Sequence, residues 1–189
     1  MINTDVLVYQ AKQFYNAYIA LDQINRVCEN PLMYYIPMVV NGAFSIEITL
    51  KAILAKNQID YGKEHNLLVL FELLPESFKT ELVGYLMQKA PEYKDANKFN
   101  EELILISSAF VDWRYFFEGK PAPALDSRFL AAFANAAIWT MFSHYNVDYV
   151  PSSSKDKTEE EIEEMFRQNR EDCKKANLFL IQKKLKDNT

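Results

Sequence analysis

The side chains able to do chemistry are few, and most sit in apolar company. Glu47 and Lys51 interrupt the run Ala43-Phe44-Ser45-Ile46-Glu47-Ile48-Thr49-Leu50-Lys51-Ala52-Ile53-Leu54. They are four residues apart with the acid on the N-terminal side, the orientation that favours an ion pair along a helix. Ile36, Val40, Ala43, Glu47, Leu50 and Leu54 fall on one helical stripe, so Glu47 holds a core-like position. An unpartnered charge there is expensive. Two arrangements answer this: a solvated Glu47–Lys51 pair, or a Glu47 held by Arg114 from another helix. Arg114 lies within Val111-Asp112-Trp113-Arg114-Tyr115-Phe116-Phe117, at the edge of an apolar face. Its guanidinium forks equally well onto a carboxylate, as a structural bridge, or onto a phosphate. His65 follows a glycine-containing turn in Gly62-Lys63-Glu64-His65-Asn66. A lone histidine there serves as a cap or packing residue more often than as a proton carrier. Trp113, Tyr115, Tyr34 and Tyr35 could stack on bases. Tyr115 and Tyr35 are the better candidates, because a phenol seeks a polar contact.

Several chemistries are excluded. The 189 residues hold two histidines and two cysteines, all widely spaced, so no metal site or cofactor is expected. Cys28 and Cys173 read as reduced thiols, which suits a cytoplasmic setting. No glycine-rich phosphate loop, no Gly-x-Ser-x-Gly elbow and no Glu-x-x-His pair occurs. A net charge of −5 argues against a strongly basic nucleic-acid binder while leaving room for a local basic surface. Lys174, Lys175, Lys183, Lys184 and Lys186 could form one, but the acidic run Glu159 to Glu164 beside them favours an ordinary solvated helix. The N-terminus has no basic and apolar leader pattern, and the near-apolar run Phe129 to Phe142 is too short for a bilayer. No membrane partner is expected.

These residues must be positioned by helices. Only four glycines occur, too few for an all-β chain with many tight turns. Helices are predicted from Thr4 to near Asn30-Pro31, from Ile36 to Asn57, from His65 to Leu74, and from Glu76 to Lys89 before Pro91. A long helix beginning at Asn97 or Asn100 should run to Glu118, ahead of the break at Gly119-Lys120-Pro121. Asp126 should cap a helix from Ser127 to about Asn146, near whose end His144 is expected to be structural. Residues 151–157 read as a linker between a bundle, 1–150, and a C-terminal amphipathic helix, 158–189. Thr158 and Glu161 there form a capping-box pattern, and Ile162, Met165, Phe166, Cys173, Ala176 and Leu180 give that helix an apolar stripe. The fold class is all-α.

Glu47-Ile48-Thr49-Leu50-Lys51, then Gly62-Lys63-Glu64-His65-Asn66-Leu67, then Trp113-Arg114-Tyr115, resemble in order and spacing the pieces of HEPN domains over about Asp5 to Asn146. The resemblance implies an up-and-down helical bundle, here with an extra C-terminal helix, frequent homodimerisation and an RNA or nucleotide ligand. Many relatives are ribonucleases of defence or toxin–antitoxin systems that use an Arg-x(4–6)-His motif. Arg114 matches the arginine, but Glu118, Gly119 and Lys120 follow it around that spacing, with no histidine. The expected protein is therefore a non-catalytic binding module. It would contact RNA, a nucleotide or a partner protein through a surface around Arg114, with Glu47, Lys51, His65, Trp113 and Tyr115 contributing. Two other readings are a metal-independent ribonuclease pairing Arg114 with His144 or His65, and a structural dimerisation protein with no nucleic-acid ligand.

Overall fold

The computed structural model describes residues 4–30, 33–107, 109–114 and 125–145, with residue 158 and scattered helical positions from 160 to 178 in the C-terminal stretch; the side chains of 111, 112 and 114 lie outside this description. The described residues form helices and no strand, an all-α bundle. The chain divides into two compact units, Met1–Tyr149 and Val150–Thr189. The predicted linker, 151–157, and the predicted tail stripe fall outside the described residues.

Helix α1 (Thr4–Val27) and α2 (Tyr35–Lys56) form an antiparallel hairpin. Its ends are fixed by Lys56 Nζ donating to Asp5 Oδ1 at 2.7 Å and by the Tyr34 backbone N–H donating to Asn25 Oδ1 at 3.3 Å. Between those ends the helices touch closely at Gly42. A Cβ there would stand 2.9 Å from Cδ2 of Tyr18 and 3.3 Å from Cδ2 of Leu130. α2 is buried on nearly all sides from Met38 to Leu54, as expected of a central helix. It alone among the described helices is long and apolar enough to cross a bilayer, so the longest apolar stretch is this helix and not Phe129 to Phe142 as expected. Its apolar surface is consumed by the core instead: 72% of its most apolar window is buried.

Two short helices and a turn follow. α3 (Leu67–Glu72) starts two residues later than expected, because Asn66, not His65, provides the cap, its side chain accepting from the Val69 N–H. α4 (Glu76–Lys89) has the predicted bounds, set by Pro75 and Pro91. A single 3-10 turn, Pro91–Tyr93, then buries Tyr93 completely.

The predicted long helix is two. α5 (Ala96–Ile106) is capped by Asp95, which accepts from the Asn97 and Lys98 N–H groups, rather than by Asn97 or Asn100. The helix stops at Ser107, whose hydroxyl turns back to the Leu103 carbonyl at 2.6 Å while its own carbonyl accepts from Leu67 N–H at 3.0 Å. α6 (Ala109–Arg114) resumes beyond. Its rings pair with α2 in reverse order: Phe110 stacks on Phe44, and Trp113 meets Tyr35 edge-on. α6 is thus antiparallel to α2, and Trp113 and Arg114 lie toward the start of α2.

α7 (Ser127–His144) has the expected Asp126 cap, with the Arg128 N–H as donor. Leu130 lies against Gly42, and the Tyr145 hydroxyl accepts from Asn57 Nδ2 at 3.0 Å, so α7 runs parallel to α2. In the C-terminal unit the capping box is present: Thr158 Oγ1 accepts from Glu161 N–H, and Glu161 Oε2 accepts from Thr158 N–H.

Gly42→Ala should lower stability by roughly 1–2 kcal/mol in urea titration, because overpacking against the Tyr18 ring outweighs the helix propensity that alanine adds. Burial raises the Glu102 carboxyl's pKa, with the Asp126 charge adding to it, and Glu102 Oε2 is buried without a hydrogen-bond partner among the described residues. The folded chain therefore holds this proton to higher pH than the unfolded chain, and stability falls as pH rises through the folded value. Glu102→Gln should raise Tm by about 2 °C at pH 7, an advantage that disappears below about pH 4.

Candidate functional site

Two polar assemblies stand out, at different levels of the bundle. The first is built on α2. Glu47 is 2% exposed, and its Oε1 accepts from Lys51 Nζ at 2.8 Å. His65 Nδ1 lies 2.8 Å from the same oxygen. A carboxylate only accepts, so His65 donates from Nδ1 and its Nε2 is left for the outer side, where the side chain is 55% exposed. Lys51 is itself only 13% exposed and lies over the Tyr61 ring, 5.6 Å from its centroid. The Glu47–Lys51 pair forms, but buried rather than solvated, and His65 is a second described partner; the side chain of Arg114 lies outside the described residues. Glu47 Oε2 is buried and has no hydrogen-bond partner among the described residues.

The loop carrying His65 is shaped for this contact. Gln58 and Gly62 both take left-handed backbone angles, φ 58° and 56°. Asp60 Oδ1 accepts from the Gly62 N–H at 2.9 Å, closing the turn. Glu64 Oε1 then accepts from the backbone N–H groups of Asn66 and His65 at 2.7 and 2.8 Å. Those two donors hold the Glu64 carboxylate below its ordinary range.

His144 lies far along the bundle from the helical position of Arg114. Trp113, next to Arg114, touches Tyr35 at the start of α2, whereas Tyr145, next to His144, bonds to Asn57 just past its end. Those two levels are roughly 33 Å apart along the helix axis. His144 is engaged locally: Nε2 lies 2.6 Å from Glu81 Oε2, and its ring packs 4.6 Å from Phe78. Burial alone would raise the Glu81 pKa, but the Ser143 hydroxyl and the His144 ring together hold it below the ordinary range. Along α2 the level of Glu47 lies on the other side of Phe44 from that of Trp113, and the side chain of Arg114 lies outside the described residues. Trp113 is buried, and Tyr115 lies outside the described residues.

The second assembly escaped the sequence reading. At the end of the bundle where α1 and α4 finish and α2 and α7 begin lies an open groove of about 880 Å³. Tyr15, Tyr18 and Tyr35 supply aromatic surface, and Arg26, Lys89 and Arg128 supply positive charge. Asn135 Nδ2 donates to the Tyr15 hydroxyl at 2.8 Å, anchoring one wall. Arg26 Nε donates to Asp22 Oδ2 at 2.9 Å, and Arg128 is held by Asp126, which also accepts from the Tyr93 hydroxyl at 2.8 Å. Tyr35 was singled out from sequence as a possible stacking residue, and it links the groove to Trp113. The other lining residues carry no local signature, since four helices contribute them.

Comparison with known proteins finds no family model, no curated protein and no solved structure that matches this chain.

If Glu47, Lys51 and His65 are mainly a structural network, removing one partner should hurt more than removing both. Glu47→Ala should cost about 3–5 kcal/mol by leaving Lys51 buried beside no carboxylate. The double variant Glu47→Leu/Lys51→Met should recover most of that loss in the same urea titration.

Proposed function

We propose that this chain is a non-catalytic binding module of HEPN-like character, working in the cytoplasm, whose ligand is RNA or a nucleotide. The ligand would be held at the end of the bundle where Arg114, Trp113 and Tyr35 lie. One observation carries this reading: the Tyr35–Trp113 ring pair leads into a groove whose lining joins tyrosines with Arg26, Lys89 and Arg128, alongside the carboxylates Asp22 and Glu92. Arginine guanidinium groups can fork onto phosphates, and flat rings accept bases without sequence preference. The residues with acid–base capacity support the same reading from the other side. Lys51 and His65 are both bonded to Glu47, and His144 is bonded to Glu81, at other levels of the bundle.

A second reading draws on one specific contact. The Glu47 carboxylate orients His65 through Nδ1 and leaves Nε2 toward solvent, an arrangement suited to a general base. It would make the protein a ribonuclease without the usual arginine–histidine spacing.

Fluorescence anisotropy with a labelled oligoribonucleotide, followed by gel analysis of the same RNA, separates the two. The expected result is saturable binding, weakened about tenfold by Arg114→Ala (a loss near 1.4 kcal/mol), with the RNA intact. Cleavage that disappears in His65→Ala would replace the binding reading with the catalytic one. Absence of saturable binding would remove it.

A further inference from the structure

We propose that His65 is a phosphoryl-acceptor site: its Nε2 takes a phosphoryl group from a small donor with a labile N–P bond and holds it as phosphohistidine. This gives the residue a covalent role, independent of whether the chain binds RNA and distinct from the general-base role above.

The ring is presented for attack by atoms at fixed positions. Glu47 comes from the central helix, is buried, and its Oε1 accepts from His65 Nδ1 at 2.8 Å. Lys51 Nζ binds the same oxygen at 2.8 Å, so the carboxylate cannot swing away without breaking an ion pair. On the loop side, the His65 backbone N–H donates to Glu64 Oε1, which also accepts from the Asn66 N–H. Backbone and ring are thus both held. With Nδ1–H engaged, the lone pair of the neutral ring is at Nε2. The side chain is 55% exposed and lies outside the groove at the start of α2, so a donor reaches Nε2 from open solvent. A nucleophile placed outside the large cleft suits modification rather than turnover of a bound substrate.

Phosphoryl is the group such a nitrogen can keep. An acyl group on imidazole is soon lost to water, whereas a P–N bond persists at neutral and alkaline pH. In the transfer the Nε2 lone pair attacks phosphorus and a P–N bond forms to the ring. The donor's own N–P bond breaks, and its electron pair leaves with the amine. The ring has then gained a positive charge, which lies against Glu47 through Nδ1–H. A hydrogen bond between ionised partners is about twice as strong as a neutral one, so this contact tightens as the reaction proceeds. No proton has to move and no further reactant is needed. His144, the other histidine of the chain, shows the opposite arrangement. Its Nε2 lies 2.6 Å from Glu81 Oε2, which leaves Nδ1, the nitrogen crowded by its own Cβ, and its ring packs 4.6 Å from Phe78. The two rings carry a carboxylate on opposite nitrogens, and His65 offers the unhindered one.

Incubation of the full chain with potassium phosphoramidate in mildly alkaline buffer, followed by mass spectrometry of the intact chain and its peptides, tests this. The expected result is one acid-labile phosphoryl group on His65. It should form roughly tenfold faster than on His144, and roughly tenfold faster than on His65 of the urea-unfolded chain. His65→Gln should abolish it. Glu47→Gln keeps the side-chain shape and removes the charge, and should bring His65 down to its unfolded rate while His144 stays slow. A slow His144 reports that this variant is folded; where His144 also speeds up, the folded and unfolded parent chains decide the matter between them. Equal rates at the two histidines of the folded parent, or a His65 rate no higher than in the unfolded chain, would overturn the inference. So would a folded Glu47→Gln chain that reacts like the parent.

Discussion

A carboxylate buried in the middle of the central helix must be met by donors, and much of the chain's path follows from how Glu47 is met. Lys51 comes from the same helix at no topological cost, one turn on. His65 must be carried back by a loop that first leaves the end of α2. That loop turns through Gln58 and Gly62, is closed by Asp60, and is stiffened where Glu64 gathers two backbone N–H groups. The next residue, Asn66, caps α3, and Leu67 donates to the carbonyl of Ser107. Ser107 is where the predicted long helix breaks into α5 and α6. One buried charge is thus connected, contact by contact, to a distant helix break. Replacing such a cluster by apolar groups is often no worse for stability. Its role here is to specify where the loop returns.

The two polar assemblies use opposite strategies. Around Glu47 the charged groups neutralise one another, and the exposed part is one face of an imidazole. In the groove the arginines are also paired, Arg26 with Asp22 and Arg128 with Asp126, but at an open rim. The first arrangement holds parts of the protein together. The second is what a preorganised recognition surface requires, because side chains fixed in advance lose little freedom when a ligand arrives.

What could be read in the sequence was local. α4 has its predicted bounds because a proline stands at each end, and Asp126 and the Thr158–Glu161 pair cap where such residues do. The burial of Glu47 was legible from its stripe, since neighbours at helical spacing share one environment. The break at Ser107 was hidden, because neither glycine nor proline marks it and the apolar stripe from Phe99 to Phe117 continues in phase across it. Asp95 was passed over because Asn97 and Asn100 offer the same capping chemistry nearby. The distance between Arg114 and His144 depends on which way α6 and α7 run along α2, and no spacing in the chain encodes that. Tyr18 sits on an apolar stripe and is indeed buried, but only the assembled helices show which cavity its phenol borders.

The direction of the four helices around the groove has an electrical consequence. α1 and α4 end there, at Arg26 and Lys89, while α2 and α7 begin there, at Tyr35 and Ser127. Each helix carries a macrodipole of about half a charge at either end, positive at the start and negative at the finish. Two positive and two negative ends converge, so their fields largely cancel over the opening. The potential a ligand meets is then set by side chains rather than by the backbone, and a handful of surface substitutions could reverse the charge preference of this groove without altering a single helix.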